Sequence, residues 1–290
     1  MNTWALVMGI TGMISIAASA VAATRKRAHE HGLYWDIGRS ETLTEWPRLI
    51  LELRQMGIDY IVVNTNGHEA AIAGKADGRW SAAQLARLAA GARAPQVRAM
   101  GWAAPTSTFD ASFSRYCRNL AKAGIRVVEL DIERDAWGTA VKGFSSRHEA
   151  AQALLKGARD AGLVVGVTMI PERLYDEFKT ADYVSIQAYS RNNRGMANHG
   201  FGATYGPGGM QDRAYKGAQR LRLPWVCGLA AYDQYWDDER RADLKGMRIA
   251  YEAAAARSRS ICWWSAKWVL GHRADSRVRS QITRLIQRNS

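Results

Sequence analysis

The sequence is short of the residues that staple or stiffen a small fold: among 290 residues there are three cysteines and six prolines. Cys117, Cys227 and Cys262 lie far apart with no CxxC, which excludes a disulfide-stapled miniprotein and leaves buried thiols as the reading. No second histidine stands at metal-ligand spacing from His68, so no zinc site and no cofactor are expected. There is no Lys/Arg block with interleaved aromatics and no nucleic-acid module, so no nucleic-acid partner is expected. Nor does a GxGxxG follow the first strand-like run, which ends WDIGRS; that argues against an open dinucleotide-binding sheet. Phenylalanine is scarce, with 5 against 11 tryptophans, and tryptophan both fills cores and stacks on flat ligand faces.

Positive charge, by contrast, is abundant: the formal net charge is +13. Such a surface favours an anionic partner, here an acidic cell-wall polymer or the envelope ahead of nucleic acid, with solubility alone as the plainer reading. Residues 4–23, WALVMGITGMISIAASAVAA, carry no charge, and Thr24-Arg25-Lys26-Arg27 follows at once. Twenty residues of helix span about 30 Å, the hydrocarbon thickness of a bilayer. Residues 1–27 are therefore predicted to be an apolar anchor or signal-like helix making membrane contact, ahead of one catalytic domain over 28–290. The basic cluster after the span would hold the remainder on the cytoplasmic side. That conflicts with an exported enzyme unless the anchor is weak and releasable. A soluble helix packed on the domain is the alternative.

Beyond residue 27 the pattern alternates. Strand-length apolar runs recur at 32–38, 59–66, 97–105, 125–133, 163–171, 183–190, 224–232 and 261–269. Helical spacing fills 41–56, 81–93, 108–123, 147–161, 238–257 and 274–288, and Gly57, Gly124 and Gly162 mark helix ends. Eight such units predict a (β/α)₈ TIM barrel. The longest irregular stretch, 191–210, follows the sixth strand and is predicted to be a loop on the active face.

In such a barrel, function collects at the C-terminal ends of the strands. Those ends offer Tyr34 and Asp36, Asn64 and Asn66, Trp102, Asp131 and Glu133, Thr168 and Glu172, Gln187 and Tyr189, Tyr232 and Asp233, and Trp264 or Lys267 depending on register. Rings that stack on sugars, amides that bind hydroxyls and a carboxyl pair for proton transfer together suit a glycan site. The fourth run, VVELDIERDAW, places Glu129, Asp131 and Glu133 at alternate positions, hence on one face of a strand, with Val128, Leu130 and Ile132 on the other. Carboxylates that close raise one another's pKa, which an acid catalyst needs and a structural strand does not. Parity also suggests an ion pair between Arg98 and Glu129 inside the barrel.

RVVELDIE resembles the DxxDxDxE of glycoside hydrolase family 18, the chitinase-like barrels, over most of residues 30–270. It matches at Asp131 and Glu133 and departs at Arg126 and Glu129, where the family has Asp. The resemblance implies Glu133 as proton donor, Asp131 orienting a substrate acetamido group, and Tyr189 of IQAYS holding that group during attack by its carbonyl. Trp263 or Trp264 of ICWWS would stand for the family's strand-eight Trp. Lysozyme-like family 25 is a second resemblance, through the DxE and a strand-one acid echoed by Asp36. Substrate contacts are then expected from Asp36, Asn64, Trp102, Gln187, Tyr232, Asp233 and Trp264. The expected function is hydrolysis of an N-acetylhexosamine polymer, foremost peptidoglycan, by a phage or bacterial lytic enzyme at the cell envelope. Two rivals stand beside it. ELD on a barrel strand also resembles metal-dependent glycerophosphodiester phosphodiesterases, whose strand-one His-Arg-Gly reads WDIG here. A non-catalytic glycan-binding barrel is the other.

Overall fold

A computed structural model describes residues 29–35, 39–65, 80–93, 97–103, 111–132, 144–171, 173–189, 206–231, 244–270 and 274–289. Its strands are β1 (Glu30–Trp35), β2 (Tyr60–Asn64), β3 (Arg98–Ala103), β4 (Val127–Asp131), β5 (Val164–Met169), β6 (Tyr183–Gln187), β7 (Trp225–Ala230) and β8 (Ser260–Trp264). They pair in chain order, each parallel to the next, and β8 closes on β1. The helices are α1 (Arg39–Met56), α2 (Ala82–Arg93), α3 (Ala111–Lys122), α4 (Arg147–Arg159), α5 (Gly209–Leu221), α6 (Leu244–Ala255), the single turn α7 (Ala266–Val269) and α8 (Ser276–Arg288). This is the expected (β/α)₈ barrel. Residues 1–28, and with them the predicted apolar helix, lie outside the described residues; among those described, no helix is long and apolar enough to cross a membrane.

Strand alternation sorts the apolar residues into two separate clusters. One face of each strand packs outward on the helices: Leu33, Ile61, Val63, Val128, Leu130 and Trp263 belong to this outer layer. The other face points into the barrel, where Tyr34, Tyr60, Val62, Met100, Trp102 and Cys262 form the inner cluster. All three cysteines are buried free thiols. The helices stop as their glycines predict, with Gly57, Gly124 and Gly162 at φ of 88°, 87° and 76°, a region costly for any residue with a Cβ. At the start of α4, Ser146 accepts the Glu149 backbone N–H and so satisfies an otherwise orphaned donor.

Two elements, the 261–269 run and the 191–210 stretch, differ from the sequence expectation. The apolar run at 261–269 breaks at Trp264, and its second half is α7 rather than strand. Between β5 and β6, where the sequence reading names no helix, the described residues hold a single 3₁₀ turn, Asp176–Phe178. The 191–210 stretch gives way to α5 at Gly209.

The barrel interior is filled by alternating absent and oversized side chains. Gly32 lies under the Tyr60 ring, and Gly166 under that of Tyr183. A Cβ on Gly166 would meet Tyr183 Cζ at 2.0 Å. Gly166→Ala should therefore destabilise the protein by about 1–3 kcal/mol, the usual cost of overpacking, as a shift in urea midpoint. An unchanged midpoint would mean that the tyrosine has somewhere else to go.

Candidate active site

The centre of the barrel is polar. Glu129 on β4 is 1% exposed and ringed by hydroxyls. Tyr34, reaching across from β1, and Thr168 on β5 both donate short hydrogen bonds to Oε1, while Tyr183 Oη donates to Oε2 at 2.9 Å. Tyr34 Oη also lies 2.7 Å from Ser185 Oγ. Burial pushes the Glu129 carboxyl above its ordinary pKa, and the hydrogen bonds from Thr168, Tyr34 and Tyr183 offset part of that rise. Burial and the neighbouring Glu129 charge in turn push both tyrosine phenols well up, so they remain donors.

The expected Arg98–Glu129 pair does not form. Barrel stagger sets Glu129 level with Trp102 in the β3–β4 register, whereas Arg98 is four residues lower, level with Tyr60. Four residues of strand is about 13 Å. Arg98 instead pairs at the exposed rim with Glu30 at 2.8 Å and lies over the Tyr60 ring, 5.5 Å from its centroid. With the two side chains 59% and 58% exposed, that pair contributes little. Arg98→Met should shift stability by less than about 0.5 kcal/mol in the same urea titration; a loss of several kcal/mol would restore an interior role.

Above the Glu129 layer lie the C-terminal ends of the strands. Asp131, 4% exposed, shares the inner face with Glu129 and is in register with Thr168. Val128, Leu130 and Ile132 are fully buried on the outer side, so the alternation read from the sequence holds through residue 132. Asn64 stands beside Trp102 at the mouth. Gln187 ends β6, and Tyr189 follows two residues later, both buried. Register settles the strand-eight choice for Trp264, which is in register with Tyr34 and Ala230; Lys267 belongs to α7. The Trp264 ring lies 5.3 Å from Tyr34, 5.9 Å from Trp102 and 6.4 Å from Tyr189, centroid to centroid. It therefore joins β1, β3 and the end of β6 into one aromatic wall. Trp263 faces outward and stacks on Tyr251 of α6. The Trp264–Ser265 peptide is cis.

Of the expected site residues, the fold brings Asn64, Trp102, Asp131, Gln187, Tyr189 and Trp264 to one mouth. Glu133, Asp36, Tyr232 and Asp233 lie outside the described residues. Strand-end reasoning leaves out Tyr183 and Ser185, which sit low on β6 and owe their importance to Glu129. It also leaves out Gln211, fully buried on α5. Gln211 Nε2 donates to the Ala188 carbonyl at 2.6 Å, and its Oε1 accepts the Gly208 N–H at 2.7 Å, bracing the chain beside Tyr189. A glutamine two residues into a helix carries no sequence signal for such a role. Among the described residues no three His, Cys, Asp or Glu side chains gather as metal ligands.

No protein-family profile matches the chain, and no curated protein matches it. Solved structures do. One is a GH5_18 protein from Streptomyces cattleya in complex with GlcNAc, with TM-score 0.63, 11% identity, and coverage of 90% of this chain and 80% of that one. Another is the catalytic domain of beta-amylase from Paenibacillus polymyxa, with TM-score 0.62, 8% identity, and coverage of 91% and 99%. A third contains the GH20 modules of a pneumococcal exo-beta-D-N-acetylglucosaminidase, with TM-score 0.53, 12% identity, and coverage of 91% and 85%. At these identities the likeness is one of fold alone: a (β/α)₈ barrel.

Proposed function

We propose that the chain is a glycoside hydrolase acting on a polymer of N-acetylated hexosamines, with peptidoglycan as the favoured substrate. The observation that carries this reading is the place of Asp131 on the inner face at the C-terminal end of β4, the same end of the barrel as the Trp102–Tyr189–Trp264 cluster. A sugar ring stacked on such a wall presents its acetamido group and glycosidic oxygen to β4. In sequence Glu133 is the next alternate position after Asp131, and this reading sets the two acids to work together on one face.

In this reading the acetamido carbonyl oxygen attacks the anomeric carbon as the glycosidic bond breaks. Glu133 gives its proton to the departing oxygen. Asp131 holds the acetamido N–H and stabilises the positive charge that develops, and the Tyr189 hydroxyl keeps the carbonyl in line. Water then opens the cyclic intermediate and returns a proton to Glu133, with retention of configuration. The match to a barrel solved with GlcNAc and to one named as an N-acetylglucosaminidase supports the substrate class, and the net charge of +13 suits an acidic wall. Work at the cell envelope, anchored or exported, belongs to the same proposal. The departures at Arg126 and Glu129 support a second reading, glycan binding without turnover.

Mass spectrometry of products from purified peptidoglycan and from chitin oligomers separates these readings. Saccharide fragments with new reducing ends are expected, and the terminal sugar reports the bond cut. Bound but intact glycan would favour the second reading, and cleavage confined to peptide bonds would overturn both.

A further inference from the structure

The end of the barrel opposite the candidate site carries an excess of positive charge. In a parallel barrel all strand starts and all helix ends share one face. Arg93, Lys122 and Arg288 are the last residues of α2, α3 and α8. Arg126 and Arg259 immediately precede β4 and β8, and Arg222 caps α5 in the left-handed region at φ 58°. All six are exposed, and among the described residues none makes an ion pair. The carboxylates of the same face are already engaged: Glu30 with Arg98, Asp182 with Arg159, and Asp59 with Arg54.

Helix dipoles favour cations at C-termini, and four of the six, with the cap Arg222 among them, gain from that. The dipole account also calls for acids at the N-termini, yet α2, α3 and α6 have none in their first turns. Arg126 and Arg259 stand outside the helices altogether. The ring is thus a property of the face rather than of its helices.

The same face receives the chain. β1 begins there at Glu30, whose N–H bonds the Arg259 carbonyl at 2.8 Å. In sequence, β1 is preceded within six residues by Thr24-Arg25-Lys26-Arg27 and, before that, by the uncharged stretch 4–23.

We propose that this basic face docks on an anionic phospholipid surface, with the catalytic mouth pointing away from the membrane. Each exposed cation near such a surface adds attraction, and the uncharged stretch 4–23 that precedes this face in sequence favours a lipid over another polyanion. The inference is independent of the chemistry at the mouth.

The test uses the full chain and vesicles of phosphatidylcholine with or without phosphatidylglycerol, in a co-sedimentation assay at low and high salt. Any contribution of residues 4–23 is common to both vesicle types, so the ratio of the two affinities isolates the charged face. The wild type should prefer the phosphatidylglycerol vesicles by about tenfold or more at low salt, and the preference should collapse at about 1 M salt, where the screening length is near 3 Å. Combining Arg93→Gln, Arg126→Gln, Arg222→Gln and Arg259→Gln should bring the ratio close to one, with an unchanged circular dichroism spectrum. A charge-matched control on the helical wall, Lys216→Gln, Lys245→Gln, Arg248→Gln and Arg284→Gln, should leave it within about twofold. Equal loss in both variants would reduce the effect to net charge and overturn the proposal. So would indifference of the wild type to phosphatidylglycerol, or a face variant that loses DNA binding while keeping its vesicle preference.

Discussion

Glu133→Gln should reduce glycan turnover by about 10²–10⁴-fold, the usual share of a positioned general acid, with little change in KM and none in thermal midpoint. The amide keeps the shape and polarity of the side chain but cannot give a proton to the departing glycosidic oxygen. In sequence Glu133 stands two residues beyond Asp131 and just past Ile132, the last buried residue of that segment. A loss in kcat alone is the signature of a group whose contribution arises in the transition state. Asp131→Asn should lower kcat as well, since its charge faces the developing positive centre. A Glu133→Gln enzyme that turns over peptidoglycan at the wild-type rate would remove the assignment, whatever the fold.

The second large effect concerns stability. Replacing Glu129 with Ala should cost about 3 kcal/mol or more, because the hydroxyls of Tyr34, Thr168 and Tyr183 lose their common acceptor and a cavity opens at the barrel centre. Glu129→Gln should cost far less at neutral pH, since the amide oxygen still accepts from Tyr34 and Thr168 and no charge is buried. The pH dependence distinguishes charge from hydrogen bonding. Burial raises the folded-state pKa of Glu129 above its unfolded value. The folded protein therefore binds the proton more tightly, and the contribution of the protonated group to stability is fully present below the unfolded pKa. It is lost as pH rises through the folded pKa. Wild type should thus be most favoured over Glu129→Gln at low pH and lose ground as pH rises. Urea titrations of both proteins from about pH 4 upward read this difference directly; the opposite slope would show that the carboxylate is stabilised by its three donors more than burial disfavours it.

Much of the architecture is legible because the strands are short, apolar and separated by helix-stopping glycines. Val128, Leu130 and Ile132 alternate with Glu129 and Asp131, and two-residue periodicity alone puts the acids inside. The Arg98–Glu129 expectation fails for a reason outside that periodicity. Parity tells which face a side chain takes, but not its height, and height in a barrel is set by the stagger between neighbouring strands. The same stagger brings Tyr34 and Tyr183 to Glu129 from β1 and β6, contacts separated by 95 and 54 residues in sequence. It also decides between Trp264 and Lys267. Gln211 is hidden for another reason: it acts on a loop carbonyl, and backbone partners leave no trace in side-chain patterns.

The central proposal is that Glu133 joins Asp131 at the mouth, beside the tryptophan wall. A crystal structure of the Glu133→Gln protein with a chitin or muropeptide oligomer tests it most directly. The account predicts a sugar ring against Trp264, its acetamido group on Asp131, and the residue-133 amide within about 3 Å of the glycosidic oxygen. An oligomer bound elsewhere, or an amide turned outward among the helices, would contradict it.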